Sequence, residues 1–404
     1  MIPLLQNRKI LLGVTGSIAA YKAVELASKL TQAGALVDVI LTQSAQQFIT
    51  PLTFQSVTGQ RAYCDKDLWG SEGHIQHIGL GKSAEILVIA PASANTIAKL
   101  ACGIADNLLT VTALAIECPL LVAPAMDGGM FKHPATQTNI EILQERGSTI
   151  IGPVEGYLAS GLIGIGRMAD PADLLGNIRL IFARTGPLVG QHVVVTAGGT
   201  QESIDPVRSI TNKSSGKQGY AIAQAALDSG AKVTLISAPT ALTPPTGVKL
   251  VNVSTAEEMT KAVINNTPNA DILIMAAAVA DFTPSTHINQ KIKREKGIPK
   301  IELTGTQDIL TEVSKQKTQT NKPIVVVGFA AESENLLENA RAKLEAKKLD
   351  LIVANDITTP DSGFATDTNK VILIESGGDT TTLPLMPKEQ VAQIIIERVH
   401  NLLP

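Results

Sequence analysis

Short, wholly apolar runs alternate with helix-patterned segments along this chain, and the alternation happens twice. The first set opens with KILLGV at 9–14; apolar residues then recur at helical spacing over 17–34 until a glycine stop at Gly34. LVDVILT (36–42), EILVIAP (85–91) and PLLVAPAM (119–126) continue the strands, with helical text at 93–100, 106–116, 134–146 and 172–183. A strand that is apolar throughout is buried on both faces, and helix-length connections let successive strands run parallel with right-handed crossovers. ARTGPLVGQ (183–191) then breaks the rhythm with Gly, Pro and Gly. A second set follows, with strands expected at 192–197, 232–237, 248–252, 271–276, 324–329, 350–354 and 370–375. Its helices are expected at 217–229, 256–265, 334–347 and 387–402. The expected fold class is α/β: two doubly wound, mostly parallel-sheet Rossmann-like domains in tandem, over 1–185 and 186–404. No fixed-period repeat relates the halves. The glycine-rich stretch 152–171 fits neither pattern, and a loop of that length in a compact domain is usually functional or mobile.

Composition agrees. At 404 residues the chain is too long for one ordinary core. An aromatic content of 3% suits layers packed with Val, Ile, Leu and Ala rather than an aromatic sandwich. The net charge of −3, with scattered basic residues, gives no footprint for nucleic acid or an anionic membrane. Apolar runs such as Ile10–Val14 are too short for a membrane span or a signal-peptide core, so a cytoplasmic protein is expected. Cys64, Cys102 and Cys118 are odd in number and lack a C-x-x-C, which supports neither a disulfide framework nor a zinc site.

The chemistry gathers at strand ends. GVTGSIAAYK (13–22) puts Gly16 and Ser17 between a strand and a helix, where backbone N–H groups and a hydroxyl can meet a phosphate. Helix capping alone is the competing reading. LTQSAQQFI (41–49) and APASANTIAKL (90–100) leave two further strands with hydroxyls and an amide. In open parallel sheets, ligands bind at the carboxyl ends of strands.

With GSIAAYK, HIGLGKSAEILVIAPASANT, GIADNLL, PAMDGGM and GYLASGLIGIGRM, residues 8 to about 180 resemble the homo-oligomeric flavin-containing cysteine decarboxylases. The resemblance implies FMN at a subunit interface, held by Gly16, Ser17, Thr42, Ser93, Ala94, Asn95 and Met126. It also implies oxidative decarboxylation of a cysteine-derived carboxylate. His77, opening H-I-x-L-x-K, is implied as the catalytic histidine, with His74 as its local competitor; a base near neutral pKa suits proton removal. Two positions depart from the family pattern. Asp127 stands where an asparagine usually donates to the substrate carboxylate, and an ionised Asp cannot donate. Ser160 stands where a cysteine usually protonates the ene-thiolate, and a hydroxyl is a far weaker acid than a thiol. Complete decarboxylation, a half stalled at the ene-thiol, and a half with an altered substrate all stay open.

In the second half, the strand 192–197 stops at TAGGTQE (196–202), and DPVRSITNKSSGKQG (205–219) leads into an alanine-rich helix. Two polar glycine loops beside a helix N-terminus suit a polyphosphate. AAAVADF (276–282) ends a strand at Asp281, QKIKREKG (290–297) is basic, and KKLDLIVANDI (347–357) ends in Asn355-Asp356. These donors and cations suit activation of a carboxylate by acyl transfer to a nucleotide α-phosphate. A solvated lysine edge and an aspartate helix cap are the plainer readings.

Over roughly 188–404 the text resembles the ligase half of bacterial bifunctional phosphopantothenoylcysteine decarboxylase/phosphopantothenate–cysteine ligases. That implies CTP as co-substrate, with Mg²⁺ bridging its phosphates. The resemblance implies that Asn212 turns the acyl-cytidylate over to the amide and that Lys291 assists its formation. Gly199, Thr200, Ser214, Ser215, Gly216, Lys217, Asp281, Phe329, Lys343 and Lys347 are implied at the nucleotide and substrate site, and Arg208 at the substrate phosphate. The expected partners are 4′-phosphopantothenate, cysteine and CTP, in a homo-oligomer with trimeric contacts in the first half and dimeric contacts in the second. An NAD-dependent oxidoreductase is the main alternative, but TAGGTQESID lacks G-x-G-x-x-G spacing and LISAP (235–239) carries no acidic residue for a ribose. A non-enzymatic flavin-binding subunit and a decarboxylase of peptide C-terminal cysteines are the other competitors.

Overall fold

The computed structural model describes residues 3–69, 76–286, 288–293, 300–320, 322–332, 335–356 and 366–404. His74, and the Arg294 and Ile357 ends of two motifs, lie outside them. The chain divides into two compact units, Ile2–Phe182 and Ala183–Pro404.

The first unit is built on strands β1 (Lys9–Val14), β2 (Leu36–Leu41), β3 (Ala62–Cys64), β4 (Ile86–Ala92), β5 (Leu120–Pro124) and β6 (Thr149–Ile150). They form one sheet in the order β3-β2-β1-β4-β5-β6, parallel throughout. A hairpin, β7 (Val154–Tyr157) and β8 (Ile163–Arg167), follows. The helices are α1 (Ala20–Gln32), α2 (Pro51–Thr58), α3 (Gln76–Ser83), α4 (Ala94–Cys102), α5 (Leu108–Ala115), α6 (Gly128–Lys132), α7 (Pro134–Glu145) and α8 (Pro171–Ala183). Side chains of successive strand residues leave opposite faces. Leu12, Val14, Val37 and Val39 therefore bury against α1, α2 and α8, in a core that includes Leu26, Phe54 and Ile178. Leu11, Ile40, Leu87 and Ile89 bury on the other face with Ile97, Leu109 and Leu143 of α4, α5 and α7.

The second unit repeats the plan with two added strands. β9 (His192–Ala197) leads into a hairpin of β10 (Gln201–Ser203) and β11 (Ser209–Thr211). Then come α9 (Lys217–Asp228), β12 (Lys232–Ser237), β13 (Lys249–Asn252), α10 (Ala256–Asn266) and β14 (Ile272–Met275). β15 (Phe282–Pro284) pairs with β16 (Leu303–Gly305), before α11 (Ile309–Thr320), β17 (Val325–Glu332), α12 (Leu336–Ala346) and β18 (Leu351–Asp356). β19 (Thr368–Asn369), β20 (Val371–Glu375), β21 (Thr380–Thr382), β22 (Met386–Pro387) and α13 (Lys388–Asn401) complete the chain. The sheet order is β13-β12-β9-β14-β17-β18-β20-β21. Its first six strands run parallel, and β20 and β21 are added antiparallel at one edge. Both units are thus mixed or parallel α/β layers of the expected class.

Several elements depart from the sequence reading. The stretch 152–171, expected to be a loop, contains the β7–β8 hairpin. Its strands are short, only partly buried and rich in glycine, so their alternation carries little apolar signal. Helices α2, α3 and α11 and strand β3 were not expected. The α11 text, ILTEVSKQKTQT, buries only Ile309 and Val313 and so carries little apolar periodicity. Among the described residues no helix is long and apolar enough to cross a membrane.

Candidate active sites at the two sheet edges

In the first unit, the strand order reverses direction between β1 and β4, the place where an open α/β sheet leaves a crevice. The turns after those two strands are tied together by Thr15. Its Oγ1 donates to Pro91 O at 2.7 Å and accepts from Ser93 N at 2.9 Å. A cavity of about 360 Å³ opens above them, lined by Gly16, Ser17, Ser93, Ala94, Met126 and Asp127, with Ser160 of the hairpin turn on its rim. A Cβ on Gly16 would fall 2.5 Å from Ser44 Cβ, so only glycine lets this turn pack beside the loop after β2. Ser17 Oγ accepts from Ala19 N at 3.2 Å, which leaves its hydroxyl proton for a ligand. Ser93 also caps α4, accepting from Thr96 N at 3.3 Å.

Ile18, Met130, Leu158 and Met168 give the same cavity an apolar wall. That donor set fits a flavin phosphate at the turns and a ring against the wall. Two cations missed in the sequence stand at the edge. Lys22 is 5% exposed and donates to Asp170 at 2.6 Å and to Met168 O at 3.2 Å. Arg167 donates to the same Asp170 at 3.1 Å. Lys22, then Arg167, hold the Asp170 carboxyl below its ordinary value. The available signal was a lysine set among the buried alanines of α1.

Three expected flavin-site residues are not in the lining. Thr42 is buried and accepts from Ala45 N at 3.2 Å, so it serves the loop after β2. Asn95 is exposed on the first turn of α4. His77 sits on α3, half-buried, with its Nδ1 buried and without a hydrogen-bond partner among the described residues.

The two departures from the family pattern meet. Ser160 Oγ donates to Asp127 Oδ2 at 2.8 Å, and Asp127 Oδ1 accepts from Gly129 N at 2.9 Å while capping α6. The Gly129 N–H and then the Ser160 hydroxyl hold the Asp127 carboxyl below its ordinary value. The pair is therefore a carboxylate and a hydroxyl at neutral pH, bonded to each other.

In the second unit the reversal falls between β9 and β14. A cavity of about 510 Å³ there brings together Asn212, the loop Ser214–Lys217, Asp281, Phe329 and Lys343. Asn212 Nδ2 donates to Val279 O at 3.1 Å and Ala278 O at 3.3 Å, which pins the amide to the segment after β14. Gly216, at φ +78°, turns the loop into α9, whose first residues Lys217, Gln218 and Gly219 line the cavity. Lys343 Nζ donates to Phe329 O at 2.9 Å.

Other expected residues take different places. Gly199 and Thr200 do not line the cavity; they stitch β9 to the segment after β14. Thr200 N donates to Ala278 O at 3.2 Å, and its Oγ1 accepts from Ala280 N at 2.9 Å. Lys347 also lies outside the lining and pairs with Asp308, which does line it, at 2.7 Å. Arg208 contacts Asp205 and Ile292 O rather than the cavity. Lys291 is exposed beside Ile292 and is absent from the lining.

Sequence reasoning missed Thr306, Asp308, Asn369 and Lys388 in this lining. Lys388 opens α13, is 5% exposed and donates to Thr366 O at 2.6 Å. Burial, followed by the nearby Lys217 charge, pushes its pKa down. Nothing in its local sequence separates it from any lysine in the first turn of a helix. Among the described residues, no group of three or more His, Cys, Asp or Glu side chains is arranged to hold a metal ion.

Asp205, in the β10–β11 turn, gives a stability prediction. Burial raises its pKa, but N–H donors from Val207, Ile292 and Arg208 outweigh this and hold the carboxyl below the ordinary aspartate value. A carboxyl with a depressed native pKa stabilises the fold above its unfolded pKa and loses that contribution as pH falls through the native value. Asp205→Asn is therefore expected to melt below the parent at pH 7. The gap should narrow below about pH 4, as read by melts across a pH series.

The family model described as "DNA/pantothenate metabolism flavoprotein C-terminal domain" matches residues 188–403, and the one described as "Flavoprotein" matches 4–182. The chain is 46% identical over 402 residues to the coenzyme A biosynthesis bifunctional protein CoaBC of Bacillus subtilis, covering 99% of this chain and 98% of the relative. To the Escherichia coli protein of the same name it is 42% identical over 398 residues, covering 98% and 97%. Two solved structures are also similar. The crystal structure of the C-terminal domain of CoaBC is 40% identical, covers 54% of this chain and 97% of its own, and has a TM-score of 0.45. The FMN-dependent cysteine decarboxylase SpaF is 34% identical, covers 43% and 94%, and has a TM-score of 0.37. By family-model match and near-full-length identity, the chain belongs to the family of bifunctional coenzyme A biosynthesis proteins, enzymes with a flavoprotein decarboxylase half and a ligase half.

Proposed function

We propose that Ala183–Pro404 joins 4′-phosphopantothenate to cysteine at the expense of CTP, and that Ile2–Phe182 binds FMN and decarboxylates the product to 4′-phosphopantetheine. The observation that carries the ligase reading is the cavity that gathers Asn212, Ser214–Lys217, Asp281 and Phe329 at one sheet reversal. In that reading a carboxylate oxygen bonds to the α-phosphorus of CTP as pyrophosphate leaves. The cysteine amine then bonds to the acyl carbon, CMP departs, and the amine proton passes to solvent. The loop 214–217 and the first turn of α9 receive phosphates. Lys291 supplies a cation where phosphate charge develops, and Asn212 holds the acyl group for the amine. Mg²⁺, when bound, would supply charge neutralisation at the phosphates. Asp281 is the lining carboxylate best placed to assist, because Asp308 is paired with Lys347. A dinucleotide reading is not favoured, since β12 ends at Ser237 and Ala238 follows, with no acidic residue for a ribose.

In the first unit, Gly16, Ser17, Ser93 and Ala94 would hold the flavin phosphate end, and Met126 and its apolar neighbours the ring. When bound, FMN supplies two-electron redox chemistry at the thiol-bearing carbon. The protein's own task is to place substrate and manage protons. Asp127 offers no donor to a substrate carboxylate, so Lys22 and Arg167 are the cations left at that edge. Ser160 passes a proton only by exchange with water, because its own is donated to Asp127. His77 stands outside its own chain's cavity, which supports a site completed between copies in a homo-oligomer.

The test is a coupled reaction of purified protein with CTP, cysteine and 4′-phosphopantothenate, followed by mass spectrometry. Release of CMP and a fully reduced thiol product are expected. Ser160→Cys should raise the rate of the final protonation by about 10²-fold, the low end of general acid catalysis. A product that retains the ene-thiol oxidation level would sink complete decarboxylation. Absence of CMP would sink the ligase reading.

A further inference from the structure

The β10–β11 hairpin grips the chain beside Lys291 at its tip and carries Asn212 at its base. At the tip, Asp205 is 1% exposed. Its Oδ1 accepts from Val207 N and Arg208 N, both at 2.8 Å, which shapes the turn. Its Oδ2 accepts from Ile292 N at 3.2 Å, 87 residues along the chain. Arg208 then donates from its guanidinium to Ile292 O at 3.2 Å. A further bond, Ile288 N to Ile204 O at 3.4 Å, ties the same segment to the hairpin. At the base, β11 ends at Thr211 and the next residue is Asn212, which lines the second cavity.

Both backbone polar groups of Ile292 are therefore held. Fixing the N–H and the C=O of one residue fixes the peptide planes on either side of it. The plane on its N-terminal side belongs to Lys291. An asparagine at 205 would shape the turn equally well through one oxygen, since an amide keeps a single acceptor. Only a carboxylate accepts from both directions at once.

We propose that Asp205 and Arg208 are positioning residues for ligation: the hairpin is a frame that sets Lys291 against Asn212. The three residues of β11 span roughly 10 Å, so one short rigid element links the residue read as forming the acyl-nucleotide to the residue read as consuming it. The proposal rests on those readings of Lys291 and Asn212. It also places the Arg208 side chain on the backbone of Ile292 rather than on a substrate phosphate.

The experiment uses the full-length protein and two readouts. Pyrophosphate release from CTP and 4′-phosphopantothenate, without cysteine, follows the activation step. Limited trypsin digestion without substrates follows fragments ending at Lys291 and Lys293, whose release tracks how often that segment leaves the hairpin. Asp205→Asn is expected to lower kcat for pyrophosphate release about tenfold or more, with the KM for CTP changed less than about threefold, because misplacing a catalytic group acts on the reacting geometry. Cleavage at both lysines should accelerate about fivefold or more. Arg208→Lys, a milder change, should move both readouts the same way by smaller factors, and it carries the test if Asp205→Asn does not fold. Parent-like values in both readouts overturn the proposal. So does a loss of kcat with unchanged cleavage, which would place Asp205 at a substrate instead. Lys291→Gln separates the two layers. If it ligates normally, the reading of Lys291 fails, whereas a changed cleavage rate in Asp205→Asn still reports the clamp.

Discussion

Replacing His77 by leucine is expected to abolish decarboxylation, by about 10²–10⁴-fold, while leaving the melting temperature unchanged or raised. His77 Nδ1 is buried and has no hydrogen-bond partner among the described residues. A buried, unpaired polar atom costs on the order of 1–3 kcal/mol, and an apolar side chain of similar shape removes that cost. A histidine kept only for packing would show the reverse signature, with activity retained and stability lost. The helix that carries it also favours a role beyond packing, since α3 buries only Leu80 and Gly81. Ligation by the other unit should stay within about twofold, because the two units have separate cores. Flavin absorbance of the variant, its decarboxylation rate and its melting curve decide the matter. A variant that melts well below the parent yet still decarboxylates would return His77 to the core.

Lys291→Gln should reduce acyl-nucleotide formation by about 10²–10³-fold, with little change in the KM for CTP. Lys291 is exposed and does not line the cavity. It therefore contributes little to holding the ground-state nucleotide. Its effect must appear where charge builds on the phosphates as pyrophosphate departs, and an interaction made only there lowers kcat without raising KM. Lys291→Arg keeps the charge and should recover part of the rate. Single-turnover measurements of pyrophosphate and CMP separate the two chemical steps. If Lys291→Gln stays within about tenfold of the parent, the residue is the solvated edge that a lysine-rich stretch usually is.

How far these sites were legible depends on the distance over which each is encoded. Gly16 and Ser17 were readable because a strand, a turn and a helix start within a dozen residues, and local periodicity reports all three. The loop Ser214–Lys217 was readable for the same reason. Thr42 and Thr200 carried a similar local signal, but their hydroxyls cap or stitch backbone instead. A threonine at a strand end looks alike in either role, and only the neighbours in space choose between them.

Lys388 and Lys22 were hidden for a related reason. Each is an ordinary helix lysine in the text, and burial against a distant segment gives it its character. Lys22 meets Asp170 across 148 residues, and Lys388 meets Thr366 O across 22. Ser160 and Asp127 were each visible as departures, yet their mutual bond was not.

By itself the sequence determined the strand–helix alternation, the two mostly parallel sheets and the loops that crown them, because periodicity and turn chemistry act over a few residues. The tertiary structure alone decided which loops share a cavity. Strand order sets β1 beside β4 and β9 beside β14, and that order comes from burying both sheet faces at once. It likewise decided that Asp205 would hold Ile292 and that Ser160 would hold Asp127, since such contacts need the whole backbone in place before their donors and acceptors can meet.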